Sequence, residues 1–148
     1  MKMITRLMAI AGLGALAAGC TSSSGTRPTG AAAVAPAPGE VDAINALLLS
    51  GNAREARKRI KVALKGDPLN PSVQLLRDSI ERDPKELLGP QSYDHVVRSG
   101  ETISDLATRL LGNRLKAYQL ARYNGLSAPF ALATGQTIRI PGTPPRIE

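Results

Sequence analysis

The chain has 148 residues, a net charge of +7, one Cys, one His, no Trp and only four aromatic residues. A single Cys cannot form an intramolecular disulfide, and together with a single His it cannot supply the three or four ligands of a typical zinc site. The composition therefore excludes a disulfide scaffold and a zinc finger. The length allows one ordinary domain or two very small ones, which excludes a large enzyme with a deep aromatic-lined pocket.

Residues 1–19 have the pattern of an export signal. Two basic residues precede an apolar run from Leu7 to Ala18, which is too short to span a bilayer but fits the apolar region of a signal peptide. The run ends in Leu-Ala-Ala-Gly-Cys, which resembles the lipobox of bacterial lipoproteins. That resemblance implies cleavage after residue 19 and a lipid (palmitate) anchor on Cys20. The alternatives are a soluble secreted protein with an ordinary cleavage site, or an uncleaved membrane anchor.

The segment that follows predicts a tether in the cell envelope. Residues 20–39 contain Cys20 and then almost only Ser, Thr, Gly, Ala, Val and Pro, a composition typical of a flexible linker. In the lipoprotein family, a residue other than Asp after the Cys, here Thr21, implies transport to the outer membrane, facing the periplasm. We expect no nucleic-acid partner, because no stretch interleaves basic residues with stacking aromatics.

Residues 40–88 predict a small helical segment. Three runs have apolar residues at helical spacing, and they stop at Ser50-Gly51-Asn52, at Gly66-Asp67-Pro68 and at Asp83-Pro84. The cations of the second run favour a solvated helix face, because Glu55 can pair with Lys58 and Arg59. The apolar positions are Val41, Ile44 and Leu48, then Ala56, Ile60, Ala63 and Leu64, and finally Val73, Leu76 and Ile80.

The second of these runs, residues 50–70, resembles the second helix of a tetratricopeptide repeat. The positions that carry the resemblance are Gly51, Ala56, Ile60, Ala63, Leu64 and Pro68. The resemblance implies a module that binds a protein partner through residues 40–88. One and a half repeats are fewer than the three or so that a repeat array usually needs, so we expect this segment to dock on its neighbour or on a partner. The alternative is a helical spacer.

Residues 92–142 predict the order strand, helix, helix, strand. His95-Val96-Val97-Arg98 is typical of a short strand, and Thr102 is a good N-cap for a helix that ends at Gly112-Asn113. A second helix is predicted from about Leu115 to Tyr123 and stops at Asn124-Gly125. A loop then leads to a last strand at residues 137–140, and residues 143–148 form a tail.

This order closely resembles the LysM domain, a small module that binds glycans containing N-acetylglucosamine. The motifs SGETISDLA, YNGL and GQTIRIPG carry the resemblance. It implies an α+β fold, with a βααβ domain in which two antiparallel strands pack against both helices, and peptidoglycan as the partner. The positions in register are Gly100, Thr102, Ile103, Ala107, Leu120, Asn124, Leu126, Gly135, Gln136, Ile138, Ile140 and Pro141.

The resemblance also implies where a glycan lies. LysM domains bind it in a shallow groove between the loop after the first strand and the loop before the last strand. Backbone groups there can read the N-acetyl groups, and small apolar residues can receive the acetyl methyls and sugar faces. Phe130 has an alternative role as a core residue, and Asn124 is better explained as a structural turn. The candidate glycan-binding residues are Gly100, Glu101, Thr102, Ile103, Leu126, Ser127, Pro129 and Phe130.

We expect no catalysis and no cofactor or metal. His95 has no Cys or Ser partner in a recognisable motif, so a surface or structural role is favoured, and no pair of carboxylates stands out for glycoside cleavage. The leading hypothesis is a non-enzymatic envelope lipoprotein that binds peptidoglycan and tethers or recruits a protein. The alternatives are a structural subunit of a secretion or division assembly whose LysM-like domain binds protein, and an accessory to a wall hydrolase.

Overall fold

The computed structural model describes residues 38–144, so the predicted signal peptide, Cys20, nearly all of the linker and most of the tail lie outside the described residues. The first four helices are α1 (Pro38–Leu49), α2 (Ala53–Gly66), α3 (Pro71–Glu81) and α4 (Pro84–Leu88). Then come β1 (Ser92–Val96), α5 (Ile103–Leu111), a 3-10 helix (Arg114–Lys116), α6 (Ala117–Tyr123) and β2 (Thr137–Pro141). We call residues 38–88 the helical module and residues 92–142 the C-terminal module.

Local capping explains where the helices of the helical module begin. The side chains of Asn52 and Asn70 accept hydrogen bonds from backbone amides in the first turns of α2 and α3. Asp83 does the same for α4, which Pro84 begins. The Asp83-Pro84 pair, interpreted from the sequence as a stop, therefore ends α3 and also starts a further short helix, since Pro is well suited to the first helical position. The three predicted helices are confirmed, and α4 is an addition.

The two strands form an antiparallel sheet, as the sequence predicts. Tyr93 pairs with Ile140, and His95 pairs with Ile138. The first strand was predicted at residues 95–98, but it runs from Ser92 to Val96. The strand begins three residues earlier than predicted and ends two residues sooner. Val97 still exchanges backbone hydrogen bonds with Gln136 and Gly135 just before β2, and the chain turns away after it, where the Glu101 amide donates to the Arg98 carbonyl.

The second helix of the C-terminal module also differs from the prediction of one helix from about 115 to 123. A 3-10 turn covers residues 114–116, and α6 begins at Ala117. The Asn113 side chain caps the 3-10 turn by accepting a hydrogen bond from the backbone amide of Leu115 at 2.9 Å. The cap explains why the chain turns tightly before α6 begins.

Two hydrophobic clusters hold the described residues together. The cluster of the C-terminal module lies between the sheet, α5 and α6. The second cluster lies among α1, α2 and α3, and it includes Leu115 of the C-terminal module. Its fully buried members are Ile44, Leu48, Ala56, Val73 and Leu76.

The two modules pack against each other rather than acting as independent units. The buried side chain of Gln119 donates to the buried hydroxyl of Ser79 at 3.0 Å. Arg122 donates to the carbonyl oxygens of Ser79 and Arg82 at the end of α3, and so satisfies acceptors that a helix end leaves free. These bonds fix the helical module to α6. No helix within residues 38–144 has the length and apolarity needed to cross a bilayer.

Candidate functional site

A groove with a volume of about 450 Å³ lies between the loop that follows β1 and the loop that precedes β2. One side is the start of α5 with the residues just before it, and the other is residues 129–132. The groove is lined by Leu49, Gly100, Glu101, Thr102, Ile103, Ser104, Pro129, Phe130, Ala131 and Leu132. It is therefore the surface at which the sequence predicted a binding site.

The structure brings six of the eight candidate residues together in this groove: Gly100, Glu101, Thr102, Ile103, Pro129 and Phe130. The other two do not line it. Leu126 packs against the cluster of the C-terminal module, and Ser127 uses its carbonyl oxygen to accept a hydrogen bond from the Phe130 amide at 3.0 Å. Both residues support the loop, while residues 129–132 form the wall.

The apolar floor of the groove is continuous with the hydrophobic core. Ile103 and Phe130 line the groove but are only 5% and 8% exposed, and both belong to the core cluster. The Phe130 ring also meets the Tyr118 ring edge to face, with centroids 5.8 Å apart. The two roles considered for Phe130, core residue and groove floor, are thus combined, and the floor is held in one geometry by core packing.

The Thr102 hydroxyl caps the N-terminus of α5. It accepts a hydrogen bond from the backbone amide of Asp105 at 3.1 Å and donates to the Asp105 carboxylate at 2.7 Å. The same carboxylate accepts from the Thr102 amide, which completes a capping box at the start of α5. Thr102 therefore fixes one wall of the groove, and a ligand that used its hydroxyl would compete with the cap.

The Glu101 carboxylate fastens the loop that follows β1. It accepts hydrogen bonds from the Arg98 amide at 2.8 Å, from His95 Nε2 at 2.9 Å and from Arg109 at 2.5 Å. These bonds, led by the one from the Arg98 amide, favour the charged form and lower the pKa of Glu101 from 4.5 to about 2. The side chain of Glu101 is only 9% exposed, so the carboxylate organises the loop rather than reaching into solvent.

This network predicts a pH dependence of stability. Because the pKa of Glu101 is lower in the folded chain than the usual 4.5, its stabilising effect is complete above pH 4.5 and is lost as the pH falls towards 2. Between pH 4.5 and 2, we expect the melting temperature of Glu101→Gln to fall less than that of the wild type. Thermal unfolding at a series of pH values measures this.

The hydrogen bonds from Thr102 also lower the pKa of Asp105, so a smaller acid-dependent loss of stability should persist in Glu101→Gln. Adding Asp105→Asn should flatten the profile further. An unchanged profile in both variants would show that these carboxylates do not hold the loop in solution.

Four residues that line the groove were not among the candidates. Ser104, Ala131 and Leu132 follow directly in the chain from residues that were, so the pattern of the two loops contained a signal for them. Leu49 belongs to α1, more than fifty residues earlier in the sequence. Helical spacing gave no signal for it, because the spacing predicts a buried face but not which module covers it.

The groove is lined chiefly by apolar and small side chains, together with the hydroxyl side chains of Thr102 and Ser104 and the carboxylate of Glu101. Within residues 38–144, Glu101 is the only carboxylate that lines it, and that carboxylate already accepts three hydrogen bonds. Such a surface can hold a neutral ligand with apolar and amide parts.

A family model of the LysM domain matches residues 95–141, and a LysM domain is therefore found in this part of the chain. LysM domains imply binding of peptidoglycan or chitin-type glycans. The mixed α and β structure is in agreement with the fold class predicted from the sequence. No significant match to the chain was found among curated proteins or among solved structures.

Proposed function

We propose that the chain is a non-enzymatic envelope lipoprotein that holds peptidoglycan in the groove between residues 100–104 and residues 129–132. The observation that supports this most is that both loops expected to bind glycan meet at one groove, over an apolar floor formed by Ile103 and Phe130. N-acetylglucosamine offers an acetyl methyl and an apolar ring face to such a floor, and its amide can bond to backbone groups of the loops.

Binding rather than cleavage is favoured by the state of Glu101. Most glycoside hydrolases use a pair of carboxyl groups, one of which is protonated and donates to the leaving oxygen. Among the described residues, Glu101 is the only carboxylate that lines the groove, and its pKa of about 2 keeps it ionised at neutral pH. A carboxylate in this state cannot act as the general acid.

The lipid anchor complements a shallow site. A groove of this kind binds a short glycan weakly, and a lipid on Cys20 would keep the domain near its polymeric ligand, which raises the effective concentration. We place the protein at the outer membrane, facing the periplasm. Palmitate labelling tests the anchor, and labelling that persists in Cys20→Ala would contradict it.

The glycan site is tested with a matched pair of substitutions in protein spanning residues 38–148, which contains both hydrophobic clusters. Ala131 lines the groove, whereas Ala133 lies in the same loop outside it, and both side chains are exposed. We expect Ala131→Glu to weaken binding of chitopentaose at least about tenfold, equivalent to about 1.4 kcal/mol, because the larger charged side chain fills the groove. Ala133→Glu should bind like the wild type, as measured by isothermal titration calorimetry.

Sedimentation with peptidoglycan sacculi at low and moderate salt separates groove binding from adsorption of a basic protein. We expect the wild type to sediment with the sacculi at both salt concentrations and Ala131→Glu to remain in the supernatant. If the wild type binds neither sacculi nor chitopentaose, the alternative takes over: a structural subunit of a secretion or division assembly whose LysM domain binds protein.

For the helical module we propose recruitment of a protein partner, in the manner suggested by its resemblance to a tetratricopeptide repeat. A second groove, of about 440 Å³, lies between α2 and α3. Its floor contains Leu64, and the exposed cations Arg57, Lys61 and Lys65 lie along the α2 side of its rim at spacings of one helical turn. The α3 side is lined by Arg77 and Glu81. None of these three cations forms a salt bridge with another described residue.

An apolar floor with a basic rim fits an acidic amphipathic helix of the partner. Site-specific photocrosslinking from position 64 in cells tests this, with position 62, an exposed residue outside the groove, as the control. We expect a crosslinked adduct to an acidic segment of the partner. This adduct should disappear in the double variant Lys61→Glu, Lys65→Glu. An adduct that survives the charge reversal would contradict the proposal.

A further inference from the structure

The turn between α1 and α2 lies against the groove of the C-terminal module, and we infer that it forms a third wall of the glycan site, with Leu49 in contact with bound N-acetylglucosamine. This inference rests on the proposed function. It extends the glycan site to a part of the chain that lies outside the LysM match at residues 95–141. Two independent observations carry it. One is the packing of Leu49, and the other is the close approach of Gly51 to the loop that precedes β2.

Leu49 faces a different neighbour from the other apolar residues of α1. Ile44 and Leu48 are fully buried in the cluster of the helical module, and Val41 and Leu47 pack against that cluster. Leu49, the last residue of the helix, instead packs against the cluster of the C-terminal module and lines the groove. It remains only partly buried, so part of its side chain is available to a ligand.

Gly51 brings the turn into direct contact with the loop that precedes β2. A Cβ atom added to Gly51 would lie 2.6 Å from the Cβ of Ala128, closer than real Cβ atoms approach. The φ angle of Gly51 is +83°, a conformation that favours glycine. The contact therefore requires Gly at position 51, and it sets the position of the loop one residue before Pro129.

The turn itself is firmly held, which makes it suitable as a wall. The Gly51 amide donates to the Leu48 carbonyl at 3.0 Å, and the Asn52 amide donates to the Leu47 carbonyl at 2.8 Å. These bonds close the C-terminal end of α1. Core packing on one side and the Ala128 contact on the other then fix Leu49 at the edge of the groove.

The chemistry of the wall is apolar, and it suits the acetyl methyl or the apolar face of a sugar ring. With Ile103 and Phe130, Leu49 gives the site apolar groups contributed by both modules. The helical module would therefore help to determine which glycans bind, in addition to any partner that it recruits.

The test compares two leucines of α1 in protein spanning residues 38–148. Leu49→Ala removes the wall, while Leu47→Ala truncates a leucine of similar burial that lines a different surface. We expect Leu49→Ala to weaken chitopentaose binding about fivefold, because apolar contact is lost, and Leu47→Ala to bind within about twofold of the wild type. Thermal unfolding of both variants shows that each remains folded.

A second set of variants tests the Gly51 contact. Gly51→Ala should weaken binding by displacing the loop. Gly51→Ala with Ala128→Gly should recover part of the affinity, because the obstructing methyl is gone while the strain of Ala at a φ of +83° remains. Gly89→Ala is the control for backbone strain, since Gly89 has a φ of +90° and nothing within 4 Å of an added Cβ. It should bind glycan like the wild type.

The outcomes separate this inference from the proposed function. Wild-type binding that is weakened by Ala131→Glu but unchanged by Leu49→Ala overturns the third wall and leaves the glycan site intact. Binding lost equally in Leu47→Ala and Leu49→Ala also overturns it, because the effect would then be general to α1. Absence of wild-type binding overturns both proposals.

Discussion

Leu115→Ala is expected to lower the free energy of unfolding by about 2–5 kcal/mol, the usual range for a buried Leu in a core that relaxes only partly. Leu115 is 6% exposed, and although it belongs to the C-terminal module, its side chain is buried in the cluster of the helical module. Truncation therefore leaves a cavity between the two modules. We expect both modules to be destabilised together, as one cooperative unit.

The chain offers a convenient measurement of this coupling. All three Tyr residues lie in the C-terminal module and there is no Trp, so tyrosine fluorescence reports on that module, while far-ultraviolet circular dichroism reports on the helices of both. In urea, the two signals should give the same midpoint in the wild type and in Leu115→Ala. Leu69→Ala is the matched control, because Leu69 is 82% exposed and its truncation should change stability by less than about 0.5 kcal/mol.

Two separate unfolding transitions, or a change confined to the tyrosine signal, would contradict the coupling. In that case the modules would unfold independently despite the contact between Gln119 and Ser79. A single transition would instead mean that the C-terminal module expressed alone, with Leu115 exposed to water, is less stable than the same residues within the longer chain.

The elements of this fold follow closely from local sequence because their determinants are local. The N-cap at Thr102 and the three helices of the helical module were predicted from spacing and cap residues. Each of these features depends on residues a few positions apart, and such patterns are read directly from a sequence. The two groove loops were located differently, through the resemblance to the LysM domain that the motifs SGETISDLA and YNGL help to carry.

Contacts between the two modules could not be predicted from local sequence in this way. Leu115 was predicted as the start of a helix in the C-terminal module, and in the structure it is buried in the cluster of the helical module. Gln119 and Ser79 are polar residues that give no apolar signal, yet they are buried and pair across forty positions. Such contacts depend on which surfaces meet after the helices have formed, and apolar periodicity carries no information on that choice.

Asn124→Ala is expected to lower the free energy of unfolding by about 1–3 kcal/mol, because it removes three side-chain hydrogen bonds to backbone groups. The Asn124 Oδ1 atom accepts from the Arg139 amide at 2.7 Å, and its Nδ2 atom donates to the Arg139 carbonyl at 2.9 Å and the Leu120 carbonyl at 3.0 Å. The side chain therefore joins the end of α6 to β2, which agrees with the structural role predicted from the sequence.

Asn124→Asp separates donation from acceptance at this position. An aspartate can still accept from the Arg139 amide, but it has no donor for the two carbonyl oxygens that Nδ2 now contacts. We expect it to cost at least as much as Ala, because a carboxylate then faces two carbonyl oxygens. Asn52→Ala, which removes one long cap bond of 3.4 Å, should cost less than either. If urea unfolding shows that Asn124→Ala lowers the free energy of unfolding no more than Asn52→Ala does, water replaces the lost hydrogen bonds. The loop that forms the groove is then held chiefly by the core packing of Leu126 and Phe130.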